Sequence, residues 1–241
     1  MIAMKALNIL CFGDSITAGF ARWDKEYHPY AGKMLEMLKK SPISADISTD
    51  IQGLNGDQVV TPPGRFLTRM DILYEDLQTP YDWAIILGGT NDLTVGRSAP
   101  DIWTGLKKVY AIPFSKKTKI LAITVPECDC DRELGTRRNY LNSFILNHKA
   151  ENFYTFDLNK ALPYANLTEE RRKELWSDGV HFTEVGYDLV GEFFAKRMQE
   201  LITEARQTEE GKVELKERDE KPASEIKSNY EANVGRSGLV F

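Results

Sequence analysis

An α/β fold built on a central parallel sheet of five strands is what the 241-residue sequence predicts. Short apolar runs alternate with longer amphipathic segments, the signature of successive βαβ units. Four of the turns that follow these runs are rich in glycine, asparagine and aspartate, as at the strand ends of an open sheet that gathers a ligand site there. Length and composition agree: 42% hydrophobic and 28% charged residues are ordinary globular usage, enough for a substantial core.

Taken in order, the strands are expected at Ala6–Cys11, Ala45–Gln52, Trp83–Leu87, Lys119–Val125 and Phe153–Leu158. Ala31–Lys40 reads as a helix. Phe66, Met70, Leu73 and Leu77 fall on one face of another, at spacings of three and four. Ser98 with Asp101 three residues on, and Pro100 in the first turn, marks the start of a third helix running to about Ile112. Arg132–His148 is a fourth. The last helix is announced by Thr183 and turns Tyr187, Val190, Phe194 and Leu201 inward. Residues 1–203 are therefore read as one domain. Residues 204–241 are a tail crowded with mixed charges, either mobile or a solvated helix, whose Leu239-Val240-Phe241 end is apolar.

Several function classes are disfavoured. A net charge of −5 without a basic cluster gives nucleic acid little to hold. No stretch approaches the roughly 18 apolar residues of a spanning helix, and the N-terminus lacks a signal-like cleavage site. Three cysteines, Cys11, Cys128 and Cys130, are too few and odd in number for a disulfide framework, so a cytoplasmic protein is expected. Cys128-Asp129-Cys130 has too short a spacing for a zinc knuckle and no second pair. No metal or cofactor is expected.

The four turns are Gly13-Asp14-Ser15, Gly53-Leu54-Asn55-Gly56-Asp57, Gly88-Gly89-Thr90-Asn91-Asp92 and Asp178-Gly179-Val180-His181. Taken singly, each polar residue has a plain structural role open to it: a turn or cap for Ser15, an Asx-turn for Asn91, a satisfied histidine at His181. Together they meet the needs of acyl transfer. Ser15 attacks a carbonyl, His181 takes the hydroxyl proton, and Asp178, three residues earlier across a glycine, holds the imidazole. The Ser15 N–H, an N–H of the Gly56 turn and the Asn91 amide are candidate oxyanion donors, each typically worth about 3 kcal/mol in the transition state. Asp14 and Asp92 sit in tight loops, where aspartate caps backbone donors, rather than as a carboxylate pair for a metal or a glycosidic bond.

Read as blocks in this order, the turns resemble those of the SGNH hydrolase superfamily, the GDSL-type lipases and esterases. Gly13-Asp14-Ser15-Ile16-Thr17-Ala18-Gly19 matches the first block, with Ile16 where the family name has leucine; Gly89-Thr90-Asn91-Asp92 matches the third and Asp178-Gly179-Val180-His181 the fifth. The second block usually has an asparagine five residues before its oxyanion glycine. Ile51 stands there if Gly56 is that glycine, and Gly53 is the alternative. The resemblance implies a three-layer, flavodoxin-like α/β/α sandwich and metal-free ester hydrolysis. It carries Ser15 as nucleophile, Gly56 and Asn91 as oxyanion donors, and Asp178 with His181 as the rest of a triad. The expected substrate is a small-molecule, short-chain ester. Acetylated carbohydrates, lysophospholipids and thioesters are alternatives within the superfamily, and an idle acyl- or sugar-binding module is the alternative outside enzymes. Pro126–Asp129 is expected to shape the pocket, and Trp23, Tyr27 and Tyr30 to line it or to pack in the core.

Overall fold

The computed structural model describes residues 6–21, 27–75 and 79–219, with side chains through residue 208. Trp23, Leu77 and residues 220–241, for which expectations were set out above, lie outside the described residues. The chain divides into two compact units, residues 1–197 and 198–241.

Five parallel strands, β1 (Ala6–Gly13), β2 (Asp46–Gly53), β3 (Trp83–Leu87), β4 (Lys119–Ile123) and β5 (Phe153–Phe156), lie in the order β2-β1-β3-β4-β5. This is the doubly wound order in which the chain reverses direction between β1 and β3, and a crevice opens beyond the strand ends at that point. The sequence shows which strands are interior. All five residues of β3 are buried, whereas edge strand β2 alternates polar residues and buries only Ile47. Gly13 is in register with both Gly53 and Leu87, so β1, β2 and β3 end level and their loops leave the sheet side by side.

Nine helices occur among the described residues: α1 (Ser15–Ala18), α2 (Tyr30–Lys40), α3 (Phe66–Glu75), α4 (Thr90–Thr94), α5 (Ala99–Ser115), α6 (Arg132–Asn147), α7 (Leu158–Ala161), α8 (Glu169–Leu175) and α9 (Glu184–Asp219). Alternation along the strands sends Leu10, Phe12, Ala84, Ile86, Ile120 and Ala122 to one face, where α3, α5 and α6 cover them with Phe66, Met70, Ile102, Leu106, Leu141 and Ile145. On the opposite face α2 packs against the start of α9: the Tyr30 and Phe194 rings are 4.9 Å apart, and Phe194 is 5.5 Å from Phe156 of β5. The result is three layers. Ser98 caps α5 by accepting the Asp101 N–H at 3.2 Å, as its spacing predicts. The helical register of α9 continues through residues 204–219.

One side chain ties the level strand ends together. Arg69 of α3 donates to the Gly13 carbonyl at 3.1 Å, the Gln52 carbonyl at 2.5 Å and the Asp57 carboxylate at 2.7 Å, and its guanidinium lies 4.6 Å over the Phe12 ring. Asp57 also accepts the N–H groups of Gln58 and Arg65, at 2.9 and 2.8 Å. Asp14 begins α1 by accepting the Ile16 N–H at 3.0 Å, while its other oxygen is buried without a partner. Burial, aided by the nearby Asp92 and Asp57 charges, pushes the Asp14 carboxyl from an ordinary 3.8 up to about 7, against the pull of the Ile16 N–H.

Two outcomes follow. Replacing Arg69 by methionine strands the buried Asp57 carboxylate and should cost about 3–5 kcal/mol in urea unfolding; a loss below about 1 kcal/mol would show that the network does not hold the strand ends. The folded state keeps the Asp14 proton that the unfolded chain releases near pH 4. Its contribution to stability is therefore full below 3.8 and is lost as pH rises through about 7. Asp14→Asn keeps the capping acceptor but cannot ionise, so calorimetry should show its stability relative to wild type rising between pH 4 and 8; parallel curves would refute the shift.

Candidate active site

Ser15 is the first residue of α1, so its N–H belongs to the free donors of a helix start. Its Oγ lies 2.9 Å from Nε2 of His181, 166 positions later in the chain. The other imidazole nitrogen, Nδ1, is 2.9 Å from Oδ2 of Asp178. The remaining Asp178 oxygen accepts the N–H groups of Val180 and His181, both at 2.7 Å. Burial alone would raise the Asp178 carboxyl, but these N–H groups and the imidazole outweigh it and hold the group below its ordinary range.

The loop carrying Asp178 and His181 is itself clamped. Trp176 and Phe182 form an antiparallel bridge, Ser177 donates its N–H to the His181 carbonyl at 2.9 Å, and Thr183 caps the start of α9 through the Gly186 N–H at 3.1 Å. Phe20 meets the imidazole edge-on at 4.9 Å, and its carbonyl accepts the Tyr187 hydroxyl at 2.7 Å. The ring is thus positioned by Asp178, Ser15 and Phe20 together. The other two histidines stand elsewhere. His28 bonds Asp188 at 2.8 Å, and His148 is wedged between the rings of Trp103 and Phe153.

Asn91, in α4 after β3, donates through Nδ2 to the Asp57 carbonyl at 2.9 Å, which places its amide on the Gly56–Asp57 turn. The two candidate glycines differ. A Cβ at Gly53 would lie 2.2 Å from the Ala18 nitrogen, so this glycine serves close packing of β2 against α1. Gly56 has φ of 72° and open space where a Cβ would be. Asp92 accepts the Val59 and Val60 N–H groups at 2.8 and 2.9 Å, a loop-fastening role like that of Asp14.

Two cavities flank the loop that carries Ser15. One, of about 110 Å³, is lined by Ile16, Thr90 and Val180, the chain neighbours of Ser15, Asn91 and His181, and by Leu93, Val125 and Cys128. The other, of about 340 Å³, is more open and bounded by Ala18, Tyr27, Ile51, Leu54 and Asn55. Pro126–Asp129 does border the smaller cavity. Tyr30 is a core residue, and Tyr27 is exposed with its hydroxyl accepting from Asn55 at 2.8 Å. Among the described residues, no three His, Cys, Asp or Glu side chains gather as metal ligands. Arg69 and Phe20 escape sequence reasoning, because their contacts with Gly13 and His181 join segments far apart in the chain and leave no spacing signal.

A search of curated proteins finds no significant match. Solved structures do match in fold. An aryl esterase from M. smegmatis is 21% identical with a TM-score of 0.57, covering 81% of this chain and 100% of that one. A member of the lipolytic protein G-D-S-L family from Veillonella parvula is 24% identical with a TM-score of 0.61, covering 78% and 96%. A carbohydrate acetylesterase from Sinorhizobium meliloti is 19% identical with a TM-score of 0.59, covering 81% and 99%. A family model, described as the GDSL-like Lipase/Acylhydrolase family, matches residues 11–189, a stretch that contains all four turns and both partners of every hydrogen bond between Ser15, His181 and Asp178. Like the esterases and other hydrolases of that grouping, this chain belongs to the GDSL-like Lipase/Acylhydrolase family.

Proposed function

We propose that the chain is a serine hydrolase that cleaves small, short-chain carboxylic esters through an acyl-enzyme on Ser15. The observation that carries this reading is the unbroken line Ser15 Oγ, His181 Nε2, His181 Nδ1 and Asp178 Oδ2, joined by two 2.9 Å hydrogen bonds. His181 takes the proton as Oγ attacks the ester carbonyl and returns it to the departing alcohol. Water then repeats the sequence on the acyl-enzyme. Asp178, ionised and fastened by two backbone donors, keeps the imidazole in the tautomer whose Nε2 accepts. The tetrahedral oxyanion is received by the Ser15 N–H, the Gly56 N–H and the Asn91 amide. Gly56 is preferred over Gly53 because there is open space around its Cα, whereas Gly53 is packed against Ala18.

The cavity beside Ser15 supports a short acyl group, since 110 Å³ holds only about three or four waters' worth of volume. The wider cavity suits the leaving alcohol. A second reading, an acetylated carbohydrate as substrate, is favoured by the Tyr27 and Asn55 polar groups on that side and by the acetylesterase among the structural neighbours. The activity is assigned to residues 1–203. Free thiols at Cys11, Cys128 and Cys130 fit a cytoplasmic setting.

Ser15→Ala should lower turnover of p-nitrophenyl acetate and butyrate by at least about a thousandfold in a folded protein, and a fluorophosphonate should label wild type at Ser15 alone. Undiminished turnover would sink the mechanism. Asn91→Ala should reduce kcat by about a hundred- to a thousandfold with little change in KM; a change confined to KM would remove Asn91 from the oxyanion site. Across acyl chains from acetate to decanoate, kcat/KM should fall beyond about four carbons, and a rising series would exclude a short acyl pocket.

A further inference from the structure

The smaller cavity holds a charge that the ester chemistry does not use. Arg138 of α6 lines it and is only 6% exposed. Its neighbours serve it poorly. Nη1 donates to the sulfurs of Cys128 and Cys130 at 3.6 and 3.4 Å, both weak acceptors. Nη2 lies 4.0 Å from Oε1 of Glu127, the outer limit of an ion pair, and Nε is buried with no partner. Glu127 is turned toward another loop, because its Oε2 accepts the N–H groups of Tyr164 and Ala165 at 2.6 and 2.9 Å. Burial, with Cys130 beside it, pushes the Cys128 thiol upward, so that sulfur supplies no countercharge at neutral pH. Leu93, Val125 and Leu134 are apolar walls, and the remaining polar lining is Thr90, Thr94 and Asp129, whose carboxylate neighbours the Tyr164 hydroxyl rather than Arg138.

A guanidinium presents five N–H groups in a planar fork that matches a carboxylate, and its attraction is strongest where water is excluded. Here the fork borders the same small cavity as Ile16 and Val180, the neighbours of Ser15 and His181. We propose that Arg138 is the specificity-determining residue of the acyl pocket and selects acyl groups ending in a carboxylate. The preferred substrates are then half-esters of short dicarboxylic acids, of the four-carbon succinyl class. This rests on the ester-hydrolase reading above. The chemistry at Ser15 is unchanged: the alcohol leaves with the proton from His181, and water releases the free dicarboxylate. The distal carboxylate replaces the thiols as the acceptor of the Arg138 N–H groups.

The test compares kcat/KM for 4-nitrophenyl hemisuccinate and 4-nitrophenyl butyrate, which share a four-carbon acyl chain and differ in the terminal charge. Wild type should favour the hemisuccinate at least tenfold. In Arg138→Gln that ratio should collapse toward one, and Arg138→Lys should retain part of it. A wild-type preference for butyrate, or a ratio unchanged in Arg138→Gln, overturns the proposal. Should Arg138→Gln fail to fold, wild type alone decides: succinate should inhibit p-nitrophenyl acetate hydrolysis at a concentration at least tenfold below butyrate, and equal inhibition counts against the assignment. Failure of the underlying reading is distinguishable, because then neither ester turns over and the fluorophosphonate leaves Ser15 unlabelled.

Discussion

The ion pair between Arg69 and Asp57 is the constraint on which the active end of the sheet depends. It sits where β1, β2 and β3 finish level, and Arg69 binds the carbonyls of Gly13 and Gln52 as well as the Asp57 carboxylate. A buried pair contributes little net stability, because desolvation offsets the attraction, but breaking it leaves a stranded charge. Its effect is therefore geometric. Asp57 pins Gln58 and Arg65 through its side chain and Asn91 through its carbonyl.

Around this frame four aspartates have roles set by their donors. Asp57 pairs with arginine. Asp92 fastens Val59 and Val60, and Asp178 is fastened by Val180 and His181, which keeps it charged. Asp14 has one N–H donor and one bare buried oxygen, and its proton is held more tightly for that reason. Asp14 and Asp178 thus shift in opposite directions, burial prevailing at the first and the surrounding N–H donors and imidazole at the second. Only Asp178 touches the imidazole that bonds Ser15.

The surfaces on either side of Ser15 are unequal. The side of Ile16, Thr90 and Val180 is narrow and mostly apolar, with Arg138 as its cation beside Glu127 and Asp129; the side of Ala18, Tyr27 and Asn55 is broader and mixed in polarity. The candidate site residues come from the ends of β1 and β3 and from the loop before α9, where the chain's reversal between β1 and β3 leaves room.

Much of this was legible in the sequence wherever the determining interaction is local. The apolar run Trp83–Leu87 is a fully buried strand, Ser98 caps α5 three residues before Asp101, and Asp178 reaches His181 within one turn that its own N–H contacts close. Short helices such as α1, α4 and α8 escaped the periodicity, because seven residues or fewer complete no clear stripe. Sequence alone determined the alternation of strands and helices and the identity of the polar residues in the four turns. Tertiary structure alone decided that Ser15 meets His181 at 2.9 Å, that a Cβ would meet open space at Gly56 but not at Gly53, and that Arg138 is buried and Arg69 partly so. The reason is physical: hydrogen bonds closed within a turn follow from neighbouring residues, whereas contacts between distant segments exist only once the sheet has set their register and the helices have packed on it.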